Sequence, residues 1–416
     1  MSWSEERAEE HLLSLELFGM RFGLERMRRL LTALGSPQER YRAIHVVGTN
    51  GKSSTVRMAA ALLEAHGVRT GSYLSPHLVS FAERIRVGDE DLSGEAFGGA
   101  IQRAAAAAAK VDRTLSGGER VTQFELLTAA AFDELARRGV EVAVVEAGLG
   151  GRWDATNVLD AEVCVLTNVG LEHTRWLGPT VADIAREKLA VVRPQATLVL
   201  GDVDAEVQAL AEATGARIVR PQDLDVPLRG YQRTNFLVAT AAAQAQTGGQ
   251  ILQSSIAEVA GRVRVPGRLQ VVGEDPLTIL DGAHNPSGMA ALVDALPHLI
   301  GERPLVAVVS VLDDKDAAGM LRALVGNTTA MVCTASRNPR ALPPATLASL
   351  VEQITQSASR SGTGAGPPAE VVHDPRAAVE RARQIAGPDG AVLATGSIYL
   401  VADLVGDAGR RRASAL

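Results

Sequence analysis

At 416 residues the chain is too long for one ordinary core, so two or three domains are expected. Hydrophobic residues at 46% and charged ones at 22% describe a globular chain, and a net charge of -6 supplies no electrostatic footprint for nucleic acid. Only two cysteines occur, Cys164 and Cys333, both inside apolar runs, which reads as packing in a reducing cytoplasm and excludes a disulfide framework.

The opening MSWSEERAEEHLLSL carries acidic residues where a signal peptide needs a basic region and an apolar run. No uninterrupted apolar stretch of about 20 residues follows, so a cytoplasmic chain without a membrane span is expected. Ser4 to Leu34 alternates charge and leucine at helical spacing, interrupted near Gly19 to Gly23. Ala43 to Val47 then suits a buried strand, and Gly48-Thr49-Asn50-Gly51-Lys52 follows directly, with Ser53, Ser54 and Thr55 opening an amphipathic helix. Strand, glycine loop, Lys-Ser and helix together predict a phosphate cradle. The glycines let backbone N–H groups converge on anionic oxygens, the helix N-terminus adds partial positive charge, and Lys52 adds a full one. Ser53 and Ser54 are both candidate hydroxyl ligands for magnesium.

Thr122 to Arg138 has the pattern of a helix, capped by Thr122 with Glu125 three residues on and stopped by Gly139. A buried strand at Val142 to Val145 ends in Glu146, and a second at Val163 to Thr167 leads to His173. Both deliver polar residues at the strand ends where open parallel sheets place ligands. Glu146 there suits magnesium, or is merely solvated. His173 is a ligand or satisfies a local carbonyl, and Lys188 has the pattern of an ordinary helix-surface lysine. The alternation of strands and helices implies a mainly parallel sheet covered on both faces.

Val265-Pro266-Gly267-Arg268 reads as a boundary between an ATP-binding unit, 1–265, and a smaller α/β unit, 266–416. In the second unit, strand Leu277 to Leu280 runs into Asp281 and His284 of a DGAHNP loop, then a helix from Ser287 to Leu299. Strands at Leu305 to Val311, Ala330 to Thr334 and Ala391 to Thr395 alternate with helices Asp316 to Val325, Ala345 to Gln356 and Arg376 to Ile385. The second unit has no phosphate loop, so a ligand shared by the two would lie in the cleft between them.

Read together, GTNGKSS, YLSPHL, TQFELLT, EAGLGGRWDATN, LTNVGLEHTRWLG, IAREKLAVV, VPGRLQ, LDGAHNP, VLDDKD and TGSIYLVADL form one ordered string. From about Leu12 to Leu404 the chain resembles the folylpolyglutamate synthase/dihydrofolate synthase branch of the Mur ligase superfamily. The resemblance implies an α/β fold, with a phosphate-loop Mur-ligase-like domain and a smaller Rossmann-like C-terminal domain. It implies an ATP-dependent ligase that phosphorylates a pteroate or folate carboxylate and joins it to L-glutamate. It further implies that Gly48, Thr49, Asn50, Gly51, Lys52, Ser53 and Ser54 hold the ATP phosphates, with Asn235, Arg268 and Asp281 on the nucleotide across the cleft. Two magnesium ions would be held by Ser54, Ser75, Glu146, His173 and a carbamylated Lys188, with Lys52, Lys188 and His173 serving the chemistry. Arg21, Phe22, Gly23, Leu24, Thr122, Gln123, Phe124, Glu125, Trp153, Asp154 and Ala155 would face the pterin, and His284 and Ser397 the glutamate.

Three positions depart from the family pattern: Ser53 replaces a glycine, Tyr231 a histidine, and Arg21 an acidic residue of bifunctional bacterial members. Arg21 leaves open a monofunctional enzyme making only one of the two products. A cell-wall Mur ligase would need a UDP-binding domain, for which the 47 residues before Gly48 leave no room. An ATP-binding module without chemistry is disfavoured by Lys188, His173 and Asp281. Dihydropteroate or folates, L-glutamate and ATP are the expected partners of a monomer.

Overall fold

The computed structural model describes residues 2–16, 23–249, 251–360 and 366–406, a mixed α/β architecture built on two sheets. The strands of the first sheet are Arg42–Val47 (β1), Thr70–Tyr73 (β2), Ile85–Val87 (β3), Glu90–Asp91 (β4), Val142–Glu146 (β5), Val163–Leu166 (β6), Thr197–Leu200 (β7) and Arg217–Val219 (β8). They lie in the order β4-β3-β2-β5-β1-β6-β7-β8, with β2, β5, β1, β6, β7 and β8 parallel and the two edge strands β3 and β4 antiparallel. The phosphate loop therefore leaves a central strand, between the ends of β5 and β6.

Residues of β1 alternate between two cores. Ala43 and Val47 pack in one apolar cluster and Ile44 and Val46 in the other, as a strand buried on both faces requires. The helix Lys52–Ala65 covers the second face together with Gly230–Thr247, whose alanines allow the two helices to lie close.

The second sheet comprises Gln270–Glu274 (β9), Leu277–Leu280 (β10), Leu305–Val309 (β11), Ala330–Cys333 (β12), Ala369–Val371 (β13) and Ala391–Thr395 (β14). Its order is β13-β12-β11-β14-β10-β9, parallel except for β9, which forms an antiparallel hairpin with β10. The helix expected over Ser287 to Leu299 is two, Pro286–Ala295 and Pro297–Ile300, because Pro297 has no N–H to continue the ladder. Cys164 and Cys333 are buried in different sheets as free thiols, and burial pushes both up to about 12. Among the described residues no helix is long and apolar enough to cross a membrane.

Candidate active site

The loop after β1 is shaped by hydrogen bonds from the end of β6. Thr49 N donates to Asn168 O (3.0 Å), Asn50 N to Asn168 Oδ1 (2.9 Å) and Thr167 Oγ1 to Asn50 O (2.7 Å). Gly51 precedes the helix Lys52–Ala65 with φ +83°, and a Cβ there would sit 2.3 Å from Asn235 Oδ1. Glycine is required both by the left-handed backbone and by the close approach. Lys52 folds back across the loop, donating from Nζ to Gly48 O (3.1 Å) and Thr49 O (3.2 Å). First-turn N–H groups of this helix beside the Lys52 ammonium make an anion cradle.

At the end of β5, Glu146 is 2% exposed and accepts from Ser53 Oγ (3.0 Å) and Ser75 N (3.1 Å). Burial raises its carboxyl pKa, against the opposing pull of Lys52 and these two hydrogen bonds. A buried carboxylate with the Ser53 and Ser54 hydroxyls on the same wall is a hard-oxygen donor set. It fits magnesium or manganese, ions that keep several waters and lean on substrate oxygens. Among the described residues no three His, Cys, Asp or Glu side chains form a metal cage of their own.

Lys188 corrects the pattern-based expectation of a surface lysine. The helix Val181–Leu189 turns it inward, 5% exposed, with Nζ donating to Gly48 O at 2.7 Å. Burial, reinforced by the Lys52 charge, lowers its pKa to about 7, so a large share of the amine is neutral near neutral pH. His173 takes φ +52° at the start of the short helix Thr174–Leu177. Desolvation lowers its pKa to about 4 and keeps the imidazole in its neutral, metal-binding form.

The second sheet supplies the facing wall. Asp281, just past β10, accepts from Leu269 N (2.8 Å), Ala283 N (2.8 Å) and the Tyr231 hydroxyl. Asn285 caps the helix Pro286–Ala295 and exchanges reciprocal amide bonds with Asn50 (3.1 and 3.0 Å), so the cradle touches the second sheet's helix directly. Glu172 crosses the same gap. Its Oε1 lies 3.2 Å from both His284 Nε2 and Lys315 Nζ, and 3.9 Å from His173 Nε2. Burial opposes the Glu172 charge, but His284 and Lys315 outweigh it and hold the carboxyl well below the usual range. The walls enclose a cavity of about 490 Å³.

Comparison with known proteins places this geometry. The family described as Mur ligase, glutamate ligase domain, matches residues 267–398. A dihydrofolate synthase/folylpolyglutamate synthase of Mycobacterium tuberculosis is 36% identical over 392 residues, 82% of this chain and 80% of that protein. The chain belongs to the dihydrofolate synthase/folylpolyglutamate synthase family. A further relative, a probable bifunctional folylpolyglutamate synthase/dihydropteroate synthase of Haloferax volcanii, is 35% identical over 95% of this chain. The chain spans about half of that longer protein, 49% of its length. Among solved structures, E. coli FolC in complex with DHPP and ADP is similar at TM-score 0.85 and 28% identity, covering 96% of each chain. The Yersinia pestis bifunctional folylpolyglutamate synthase/dihydrofolate synthase complexed with AMPPNP and Mn ion is similar at TM-score 0.83 and 28% identity, covering 96% of this chain and 97% of that one.

In this dihydrofolate synthase/folylpolyglutamate synthase family member the structure gathers most residues that the sequence singled out. Thr49 to Ser54, Ser75, Glu146, His173, Asn235, Arg268, Asp281, His284 and Ser397 line one cavity, with Phe124 and Asp154 on the same wall system. Gly48, the first residue of the loop, and Lys188, which donates to its carbonyl, do not line the cavity. Ser397 Oγ accepts from Tyr399 N (3.1 Å) and caps the last helix.

The pterin set is only partly brought together. Thr122 and Glu125 form the capping box of the helix Gln123–Arg137, and Glu125 also pairs with buried Arg26 (3.1 Å). Gln123 Nε2 donates to Leu12 O (2.8 Å). These three, with Ala155 and half-exposed Trp153, do not line the cavity, and neither do Gly23 and Leu24. Arg21 and Phe22 lie outside the described residues. Sequence reasoning missed Glu172 and Lys315, although both sit in quoted segments, LEHT and VLDDKD; no spacing rule announces a pairing across 143 positions of sequence.

Proposed function

We propose that this chain is an ATP-dependent ligase that joins L-glutamate to a pteroate-type acid, making dihydrofolate from dihydropteroate and extending the tail of (tetrahydro)folates. One observation carries the reading. The phosphate cradle and Glu146 of the first sheet share a cavity with His284, Lys315 and Ser397 of the second, a division we assign to units 1–265 and 266–416.

A carboxylate is a poor electrophile and must first gain a leaving group. An acceptor carboxylate oxygen attacks the γ-phosphorus, the β–γ bridging bond breaks, and ADP departs with that electron pair. The glutamate amine then attacks the acyl carbon; phosphate leaves with its electron pair and the nitrogen loses a proton. Setting the carboxylate about 4 Å from a phosphate oxygen costs roughly 4 kcal/mol per charge pair at an effective dielectric near 20. Lys52 and the loop N–H groups offset that repulsion by holding the phosphates. Arg268 and Asn235 face the nucleotide, while His284, Lys315 and Ser397 face the incoming amino acid.

Glu146, Ser54, Ser75 and His173 would hold magnesium, which, when bound, neutralises phosphate oxygens during transfer. The neutral amine of Lys188 is the form that adds carbon dioxide: the nitrogen bonds the carbon and releases one proton to water, and the resulting carbamate would be a further anionic donor for a second ion. Phe124, on the cavity wall, suits stacking on a pterin ring.

The test is a paired assay of labelled glutamate incorporation with dihydropteroate and, separately, tetrahydrofolate, each requiring ATP. Label in both products is expected. Label in only one would make the chain monofunctional, and label in neither would overturn the ligase reading.

A further inference from the structure

His45 takes no part in the reading above. Strand alternation puts it on the face of Ala43 and Val47, 1% exposed, in a run that is otherwise apolar. Its Nε2 lies 2.8 Å from Thr156 Oγ1, and Thr156 Oγ1 donates to Asp154 Oδ1 at 2.5 Å. Asp154 also accepts from Thr156 N on Oδ1 (3.0 Å) and from Leu149 N on Oδ2 (2.8 Å). The carboxylate at the end of this relay lines the cavity, as Phe124 and Leu149 do.

The proton inventory decides the direction. Burial raises the Asp154 carboxyl pKa, against the pull of the Thr156 hydroxyl and of the Leu149 and Thr156 N–H groups. With the carboxylate accepting from Thr156, whose hydroxyl has one proton, the imidazole donates from Nε2. Burial and the nearby Arg193 charge keep His45 neutral, consistent with a single N–H on the ring. The ring is joined, through one fully buried hydroxyl, to a cavity carboxylate.

We propose that His45 is a positioning residue: acting through the Thr156 hydroxyl, it holds Asp154 as an oriented acceptor for the N–H edge of the heterocyclic acid. The identity of that acid rests on the ligase reading.

The experiment uses the full chain with dihydropteroate and ATP as separate calorimetric titrants, and KM for each substrate alongside kcat. His45→Leu and Thr156→Val are each expected to weaken dihydropteroate binding about five- to tenfold. ATP affinity and the KM for glutamate stay within about twofold. The double variant is expected to be no worse than the weaker single one, since both break the same relay. Thr156→Ser and His45→Gln, which keep a hydroxyl and a donor, recover most of the loss. Unchanged dihydropteroate affinity in a folded His45→Leu, a parallel loss of ATP affinity, or multiplied losses in the double variant would each overturn the proposal. If His45→Leu does not fold, the Thr156→Val and Thr156→Ser pair decides: equal affinities sink the relay. Wild-type protein that binds ATP but not dihydropteroate overturns the ligase reading itself, whereas normal wild-type binding with unaffected variants overturns the relay alone.

Discussion

Gly148, two residues past β5, tests where the aromatic part of the acceptor lies. A Cβ added there would sit 2.5 Å from Phe124 Cζ and 3.0 and 3.1 Å from its Cε atoms. Carbon–carbon contacts relax to about 3.5–4.0 Å, so in Gly148→Ala the ring must shift by roughly 1 Å. With the Tyr73 ring 6.2 Å away between centroids and the Phe124 carbonyl accepting from Thr128 Oγ1 (2.7 Å), the open direction for the ring is the cavity it lines, so the shift alters the acceptor's surface. Stacking on an aromatic partner contributes about 0.5–1.5 kcal/mol beyond burial, so displacement should cost about 1 kcal/mol of acceptor binding, roughly fivefold in affinity. The assay is calorimetric titration of the variant with dihydropteroate and with ATP, alongside thermal unfolding to register overpacking. Fivefold weaker dihydropteroate binding with ATP unchanged is the expected outcome. Unchanged dihydropteroate affinity would remove Phe124 from the acceptor site, and an equal loss of ATP affinity would show a general distortion instead.

Three further outcomes are expected. Gly51→Ala forces about 1–2 kcal/mol of left-handed backbone strain onto the loop and drives a methyl into Asn235, so ATP affinity should drop about tenfold or more; binding within twofold of wild type would contradict the cradle geometry. Lys188→Ala should abolish turnover while ATP still binds in equilibrium titration, and full activity in that variant would remove the carbamate. His45 gives a pH signature in stability. Its folded pKa of about 3 lies below the ordinary value of 6.5, so the unfolded chain binds more protons between those values. Its contribution is therefore whole above pH 6.5 and shrinks by about 1.4 kcal/mol per unit as pH falls toward 3. Urea unfolding at pH 7 and pH 4.5 should show a shallower acid loss in His45→Gln than in wild type; equal losses would refute the assignment.

What the sequence made legible was local and strongly patterned. Strand, Gly-Lys-Ser loop and helix around Lys52 form one contiguous string, and the Thr122–Glu125 capping box lies within a single turn. Glu146 was readable because an apolar run ends on it. Lys188 was reached only through the family resemblance, since its helix has the same periodicity whether that residue meets water or the Gly48 carbonyl. Thr122, Gln123 and Glu125 were assigned to a ligand by resemblance, whereas their polar groups are engaged in capping, in Leu12 O and in Arg26. The edge strand β9 escaped notice because Val271 and Val272 are both exposed, which erases the alternation a half-buried strand normally displays. Glu172 with His284 and Lys315 exists only once the two sheets face each other, and no local pattern encodes that.

The most direct measurement follows an oxygen atom. Dihydropteroate labelled with heavy oxygen in its carboxylate is incubated with the protein, ATP, magnesium and L-glutamate, and the released phosphate is analysed by mass spectrometry. Phosphate carrying one labelled oxygen for each amide formed is the result the account predicts, because the carboxylate oxygen leaves with the phosphorus. Unlabelled phosphate accompanying amide formation would contradict it.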